Sequence, residues 1–190
     1  MKLIVANWKC NPTNLKKARK LFYSAKRGVK NIKNLEVVIC PPFVWLSAFS
    51  FQLSANLKLG AQDCFWQEGA FTGEVSARML KDLGVDYVIV GHSERRKYFS
   101  ETDEMINKKL KSALKAKLKP ILCIGETEKE RKRGKTSRVL KNQLKKALKN
   151  LTIGQFNNLT IAYEPVWAIG TGNPCSPEDA KKALIFLKKI

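Results

Sequence analysis

Short apolar, β-branched runs recur along the chain, at residues 3–6, 37–40, 57–61, 87–90, 121–124 and 161–163. Each is too short for a helix and too uniformly apolar for a strand with one wet face. Such runs fit parallel strands buried on both faces. Between them, apolar residues fall at helical spacing. One such face is Leu15, Ala18, Leu21, Phe22 and Ala25. A second is Met105, Ile106, Leu110, Ala113 and Leu114, and a third is Val139, Leu140, Leu144, Ala147 and Leu148. Residues 43–53 read as a less regular helix. The last helix has a defined start, with Ser176 as N-cap, Pro177 at the first helical position, and Glu178 and Asp179 near the positive end of the helix dipole.

The pattern is a strand followed by a helix, repeated six times, with no composition break or linker. It predicts one domain over residues 1–190, an α/β fold with a parallel sheet under covering helices. Two architectures satisfy it: an open doubly wound sheet and an eight-stranded barrel. Six units suit the open sheet, and the pattern alone does not choose.

Composition narrows the function classes. A hydrophobic share of 44% supports one sizeable core and excludes collagen-like or disordered chains. Lys and Arg total 36 against 16 Asp and Glu, a net charge of 36 − 16 = +20. That charge invites a nucleic-acid reading. The cations are mostly Lys, however, and they cluster in predicted helices, as in Lys16-Lys17, Lys108-Lys109, Lys145-Lys146 and Lys181-Lys182. Solvated helix faces explain them, and a positive field also draws in anionic metabolites. Cys10, Cys40, Cys64, Cys123 and Cys175 are widely spaced, with no C-x-x-C. Neither a disulfide framework nor a zinc ribbon fits, and a cytoplasmic location is the expectation. The opening from Met1 to Ala6 is too short for a signal peptide. No apolar run reaches the roughly 18 residues of a membrane span. The expectation is therefore no membrane, no nucleic acid and no metal.

Two nucleotide motifs fail. Gly134-Lys135-Thr136 resembles the end of a P-loop, but Lys129 stands where its first Gly belongs, and the surroundings are charged and helical. Gly170-Thr171-Gly172 begins like a dinucleotide fingerprint, but Cys175 replaces its third Gly.

The segments that survive lie at the C-terminal ends of predicted strands, where parallel α/β folds build active sites. Asn7-Trp8-Lys9 offers a cation for an anionic substrate; the alternative is an ordinary surface Lys. Gly91-His92-Ser93-Glu94-Arg95-Arg96 holds the only histidine of the chain. A helix starting just after His92 disfavours the imidazolium, leaving a neutral ring able to donate to an oxyanion; the alternative is a structural His. Glu164, between Tyr163 and Pro165, is a candidate general base, or a capping or ion-paired Glu. The stretch from Val166 to Gly172 suits a lid, or a loop packed permanently on the core. A cation, a neutral electrophile, a carboxylate and a closing loop together suit proton abstraction beside a carbonyl.

These segments resemble the triosephosphate isomerase family. The resemblance includes Gly60-Ala61-Gln62, Gly69-Ala70-Phe71-Thr72-Gly73-Glu74, Cys123-Ile124-Gly125-Glu126 and the stretch from Ala162 to Gly172. It implies a TIM (β/α)8-type barrel that stops after the sixth βα unit. It implies a cofactor-free isomerase of glycolysis and gluconeogenesis that interconverts dihydroxyacetone phosphate and D-glyceraldehyde 3-phosphate through an enediolate. Glu164 matches the base, and His92 the neutral electrophile, whose protonation pattern is this family's own established case and is inherited here. Lys9 matches the catalytic and substrate-binding cation, with Asn7 beside it. Glu94 matches the supporting acid that pairs with that Lys. Gly170 matches the lid amide that binds phosphate. The loop from Gln62 to Glu74, with Thr72 near its tip, resembles the arm that makes a homodimer.

Departures from the family pattern carry their own expectations. Asp63 stands where Asn is usual, placing a charge near the implied subunit contact. Pro174 lies in the lid-closing hinge, so lid exchange is expected to differ from that of Pro174→Ala. The length is about 60 residues short of the roughly 250 of such a barrel. The missing units carry phosphate-binding loops in the family, so residues 1–190 alone are expected to be a poor isomerase. The competing reading is a basic phosphate- or nucleic-acid-binding protein on a decayed, incomplete barrel.

Overall fold

The computed structural model describes residues 2–190; Met1, the first residue of the opening read above, lies outside them. The elements run β1 (Lys2–Asn7), α1 (Leu15–Val29), β2 (Leu35–Cys40), α2 (Phe43–Phe49), β3 (Leu57–Ala61), α3 (Ala77–Asp82), β4 (Tyr87–Val90), α4 (Ser93–Tyr98) and α5 (Asp103–Lys115). They continue with β5 (Lys119–Ile124), α6 (Glu128–Lys132), α7 (Thr136–Ala147), α8 (Ile153–Phe156), β6 (Thr160–Tyr163), a 3-10 turn (Val166–Ala168) and α9 (Pro177–Lys189). Every strand expected from the apolar runs is present, and each is followed by helix. The chain divides into two compact units. Among the described residues, one comprises residues 2–89 and 112–120, the other residues 90–111 and 121–190.

In the first unit, β1 pairs parallel with β2, β2 with β3, and β3 with β4. β2 is buried from Glu36 to Cys40, and β4 throughout. β1 departs from the expected burial: Ile4 is 53% exposed, and among the described residues β1 pairs with β2 alone. Asn14 caps α1 by accepting the Lys17 N–H. Phe22 of α1 stacks on Phe49 of α2 with ring centroids 4.3 Å apart, and Trp8 meets Phe49 edge-on. Burying each such side chain stabilises by about 1.5–3 kcal/mol. Leu21, placed by its spacing on the buried face of α1, is 48% exposed. Ala18 and Phe22 are fully buried and define that face without it.

In the second unit, β5 pairs parallel with β6, from Ile121 with Thr160 to Ile124 with Tyr163. Leu140, Leu144 and Ala147 of α7 bury the face their spacing predicted, and α9 adds Ala183 and Leu187. Ser176 caps α9 as expected, its hydroxyl accepting the Asp179 N–H at 3.1 Å. Gly134, with φ +65, turns the chain between α6 and α7, so the failed P-loop sequence does join two helices. No helix among the described residues is long and apolar enough to cross a membrane.

Candidate active site

The site is built at strand exits. β4 ends in Gly91, whose φ of +75 turns the chain sharply. His92 follows as the N-cap of α4, so the helix starts where the sequence reading required it. The His92 Nδ1 accepts the Glu94 N–H at 3.3 Å. Its Nε2 lies 2.9 Å from Glu164 Oε1. Assigned from these partners, the ring is the neutral tautomer with its proton on Nε2. The Glu94 carboxylate stands 3.6 Å from Nδ1.

Glu164 leaves β6 with its N–H bonded to the Ile124 carbonyl at 2.8 Å. Its neighbour just past the end of β5 is Gly125, where a Cβ would stand 1.8 Å from the Glu164 carbonyl oxygen. Only glycine lets the two strand exits approach this closely. The Glu164 carboxylate accepts from the Ser93 hydroxyl and from the Ser93 N–H, each at 2.9 Å. Burial, the largest single influence, pushes its acidity down. The hydrogen bonds from His92 and Ser93 and the nearby ring together outweigh burial and hold the carboxyl below the ordinary glutamate value. The carboxylate thus lies beside an imidazole N–H donor. That is the acid–base pairing that proton abstraction beside a carbonyl needs.

The loop after Glu164 is fastened at its start. Trp167 Nε1–H donates to Glu126 Oε1 at 3.0 Å. The Tyr163 hydroxyl donates to the same carboxylate at 3.0 and 3.1 Å. Burial, with the Glu126 charge, pushes the Tyr163 phenol well above its usual range, so it remains a donor. Arg131 lies over the Trp167 ring, 3.8 Å from its centroid, and pairs with Asp179 at 2.7 Å. Gly170 and Gly172 have φ of +68 and +74, and residues 170–174 are exposed. The loop is thus packed at its base and open at its tip, a division that its two alternative readings did not foresee.

Asn7 and Lys9 belong to the other compact unit. The Asn7 Oδ1 accepts the Lys9 N–H at 2.9 Å, and Lys9 holds φ +53. Gln62 Nε2 donates to the Lys9 and Cys40 carbonyls, each at 2.8 Å. A non-glycine residue in the left-handed region persists only where neighbours over-determine it, and Asn7 and Gln62 do so here. Asp63 is 4% exposed within its own unit.

Sequence reasoning quoted Ser93, Gln62, Gly125 and Glu126 within motifs but gave them no role. It did not single out Arg131 at all. A serine next to a histidine at a helix start was a legible hint for Ser93. Gly125 and Arg131 depend on which strands and helices become neighbours, and no local pattern encodes that. Among the described residues, no group of three or more His, Cys, Asp or Glu is arranged to hold a metal ion.

Comparison with known proteins identifies the family. Residues 2–190 match the family model described as "Triosephosphate isomerase". A protein named "Triosephosphate isomerase" from Alkaliphilus metalliredigens is 47% identical over 190 residues, covering 99% of this chain and 76% of the relative. The protein of that name from Alkaliphilus oremlandii is 48% identical, with 99% and 76% covered. The one from Dictyoglomus turgidum is 49% identical over 191 residues, with 100% and 76% covered. The chain therefore spans about three quarters of the length of these relatives. With its parallel strands, its glycine-turned strand exits and this match across its length, the chain belongs to the triosephosphate isomerase family.

Proposed function

We propose that the protein interconverts dihydroxyacetone phosphate and D-glyceraldehyde 3-phosphate. Glu164 takes a proton from the carbon beside the substrate carbonyl. His92 Nε2–H donates to the carbonyl oxygen as charge builds there. The substrate's hydroxyl proton passes to the former carbonyl oxygen by way of His92 Nε2, and Glu164 returns its own proton to the carbon that carries that oxygen. The charge on the enediolate is met by hydrogen bonding and by the Lys9 cation, and no electron acceptor is required. Asn7 and Gly170 bind substrate, and Glu94 supports Lys9. The observation that carries the reading is the Glu164 carboxylate 2.9 Å from His92 Nε2. In the resting arrangement Ser93 also holds that carboxylate, so Glu164 must leave Ser93 to reach a substrate carbon. The base of the following loop, fastened at Glu126, supports a lid whose exposed tip closes over substrate and excludes water, as is established for this family.

The reading includes a homodimer formed through the loop from Gln62 to Glu74. Residues 67–74 of that loop are exposed, and Phe71 keeps 38% exposure while packing against Phe65. Analytical ultracentrifugation tests the dimer, which a single monomeric species at micromolar concentration would exclude. A coupled assay in both directions, with deuterium uptake from solvent, tests the reaction. Turnover with label incorporation at the substrate carbons is expected. Absence of turnover in the wild-type protein, or equal turnover in Glu164→Gln, would overturn the assignment.

A further inference from the structure

We propose that Arg96, clamped by Asp103, is a positioning residue for His92. It holds the peptide plane from which the histidine departs. The inference rests on the isomerase reading for its activity readout, and on the ring itself for an independent one.

Arg96 lies on α4, one helical turn beyond His92. Its Nε donates back to the Gly91 carbonyl at 2.9 Å. That carbonyl and the His92 N–H belong to one planar peptide, so holding the oxygen fixes the plane leading into the His92 Cα. Nη1 donates to Asp103 Oδ1 at 2.6 Å, at the first residue of α5. The guanidinium therefore spans a turn carbonyl and a helix carboxylate at once. Its rigid planar fork can do this, whereas the single ammonium of a lysine cannot keep the same geometry.

The turn being held has no slack. A Cβ at Gly91 would stand 2.9 Å from Ile106 Cδ1, 3.2 Å from the Cys123 carbonyl oxygen and 3.3 Å from Arg96 Nη2. That Nη2 is itself buried, with no hydrogen-bond partner among the described residues. Burying an unpaired donor costs stability, so a stabilising role alone does not account for a guanidinium here. Positioning accounts for it, because the fork must be buried to reach both acceptors. If the Gly91–His92 plane turns, Nδ1 loses its alignment with the Glu94 N–H, and Nε2 loses its aim at Glu164.

His92 is the only histidine in the chain, so histidine-selective 15N labelling reports a single ring. The wild type is expected to show the neutral form protonated on Nε2. In Arg96→Gln the ring is expected to become a mixture of tautomers. There kcat should fall by about 10²-fold, the scale of a small misplacement at a reacting group, with KM nearly unchanged. Arg96→Lys should not restore the wild-type spectrum. Arg96→Gln with an unchanged ring would overturn the proposal, whether or not kcat falls. Should Arg96→Gln fail to fold, Asp103→Asn decides, since it keeps the arginine and removes only the clamp. A shifted tautomer balance with lowered kcat supports the proposal, and a wild-type ring refutes it. A wild-type protein with the expected ring but no isomerase turnover would defeat the functional reading alone.

Discussion

Glu126 and Glu164 both follow strands, the buried β5 and the half-buried β6, and each accepts hydrogen bonds from a neighbouring segment. Glu126 is 0% exposed, and its donors are a phenol and an indole, themselves bulky and partly buried. Glu164 keeps 15% side-chain exposure, and its donors are a serine hydroxyl, a backbone N–H and an imidazole. Aromatic donors bring large packed surfaces with them, so moving Glu126 means unpacking Tyr163 and Trp167. The Ser93 and His92 donors bring little packing, so Glu164 can swing away while its neighbours stay. One residue type at similar sites is thus held by bulky packed donors in one place and by small ones in the other. The partners make the difference.

The largest test of this contrast is neutralising each carboxylate in turn. Glu164→Gln should lower kcat by about 10³-fold, the scale of a lost general base, with little change in the urea midpoint. Glu126→Gln should keep kcat well above that of Glu164→Gln and instead lose about 1–3 kcal/mol of stability. Equal losses of activity in both would erase the distinction. Next comes Gly125→Ala. Its new Cβ would lie 1.8 Å from the Glu164 carbonyl oxygen, so the exit of β6 must shift. A displacement of that kind should cost about 10²-fold in kcat even though no catalytic group is removed. A kcat near wild type would show that Glu164 tolerates a moved backbone. A smaller effect is expected from Trp167→Phe, which deprives Glu126 of its indole donor at 3.0 Å. The anchor should weaken by about 1–3 kcal/mol, read in thermal or urea unfolding, while Glu164 keeps its ability to take a proton.

The smallest test concerns pH. The Glu164 carboxyl sits below the ordinary 4.5 because its hydrogen bonds outweigh its burial. A carboxyl lowered in the folded state contributes stability above its unfolded value. That contribution is lost as pH falls through the lowered one. The acidic limb of kcat/KM should accordingly lie below the ordinary glutamate range. Ser93→Ala removes the hydroxyl bond and leaves the backbone one, so the limb should move upward. A limb that stays put would mean the Ser93 hydroxyl does not hold the free-enzyme carboxylate.

The strands were legible because both faces of β2, β4 and β5 are buried, which leaves an unbroken apolar run in the sequence. The long helices were legible through a single apolar stripe. The helices Ser93–Tyr98 and Glu128–Lys132 are almost wholly polar and carry no such stripe. Helix α6 is set by a capping box between Thr127 and Glu130 rather than by any apolar face. Within the candidate site, His92 and Glu164 stood out because a titratable residue just past an apolar run is conspicuous. Ser93 and Gln62 did not, since their importance lies in which backbone and carboxylate atoms they reach. Gly125 looked like any loop glycine until β6 was seen lying against it.

Arg131 grips Trp167, at the front of the loop, and Asp179, behind it, with one guanidinium. In polymer terms, the segment between is a short chain whose ends are already joined. The entropy of bringing those ends together is lost at folding, before any ligand arrives. Only the local freedom of residues 168–178 remains to be lost when the loop orders over a bound molecule. Removing that grip should make the segment behave as a longer, looser loop, with a larger entropic penalty for each closure.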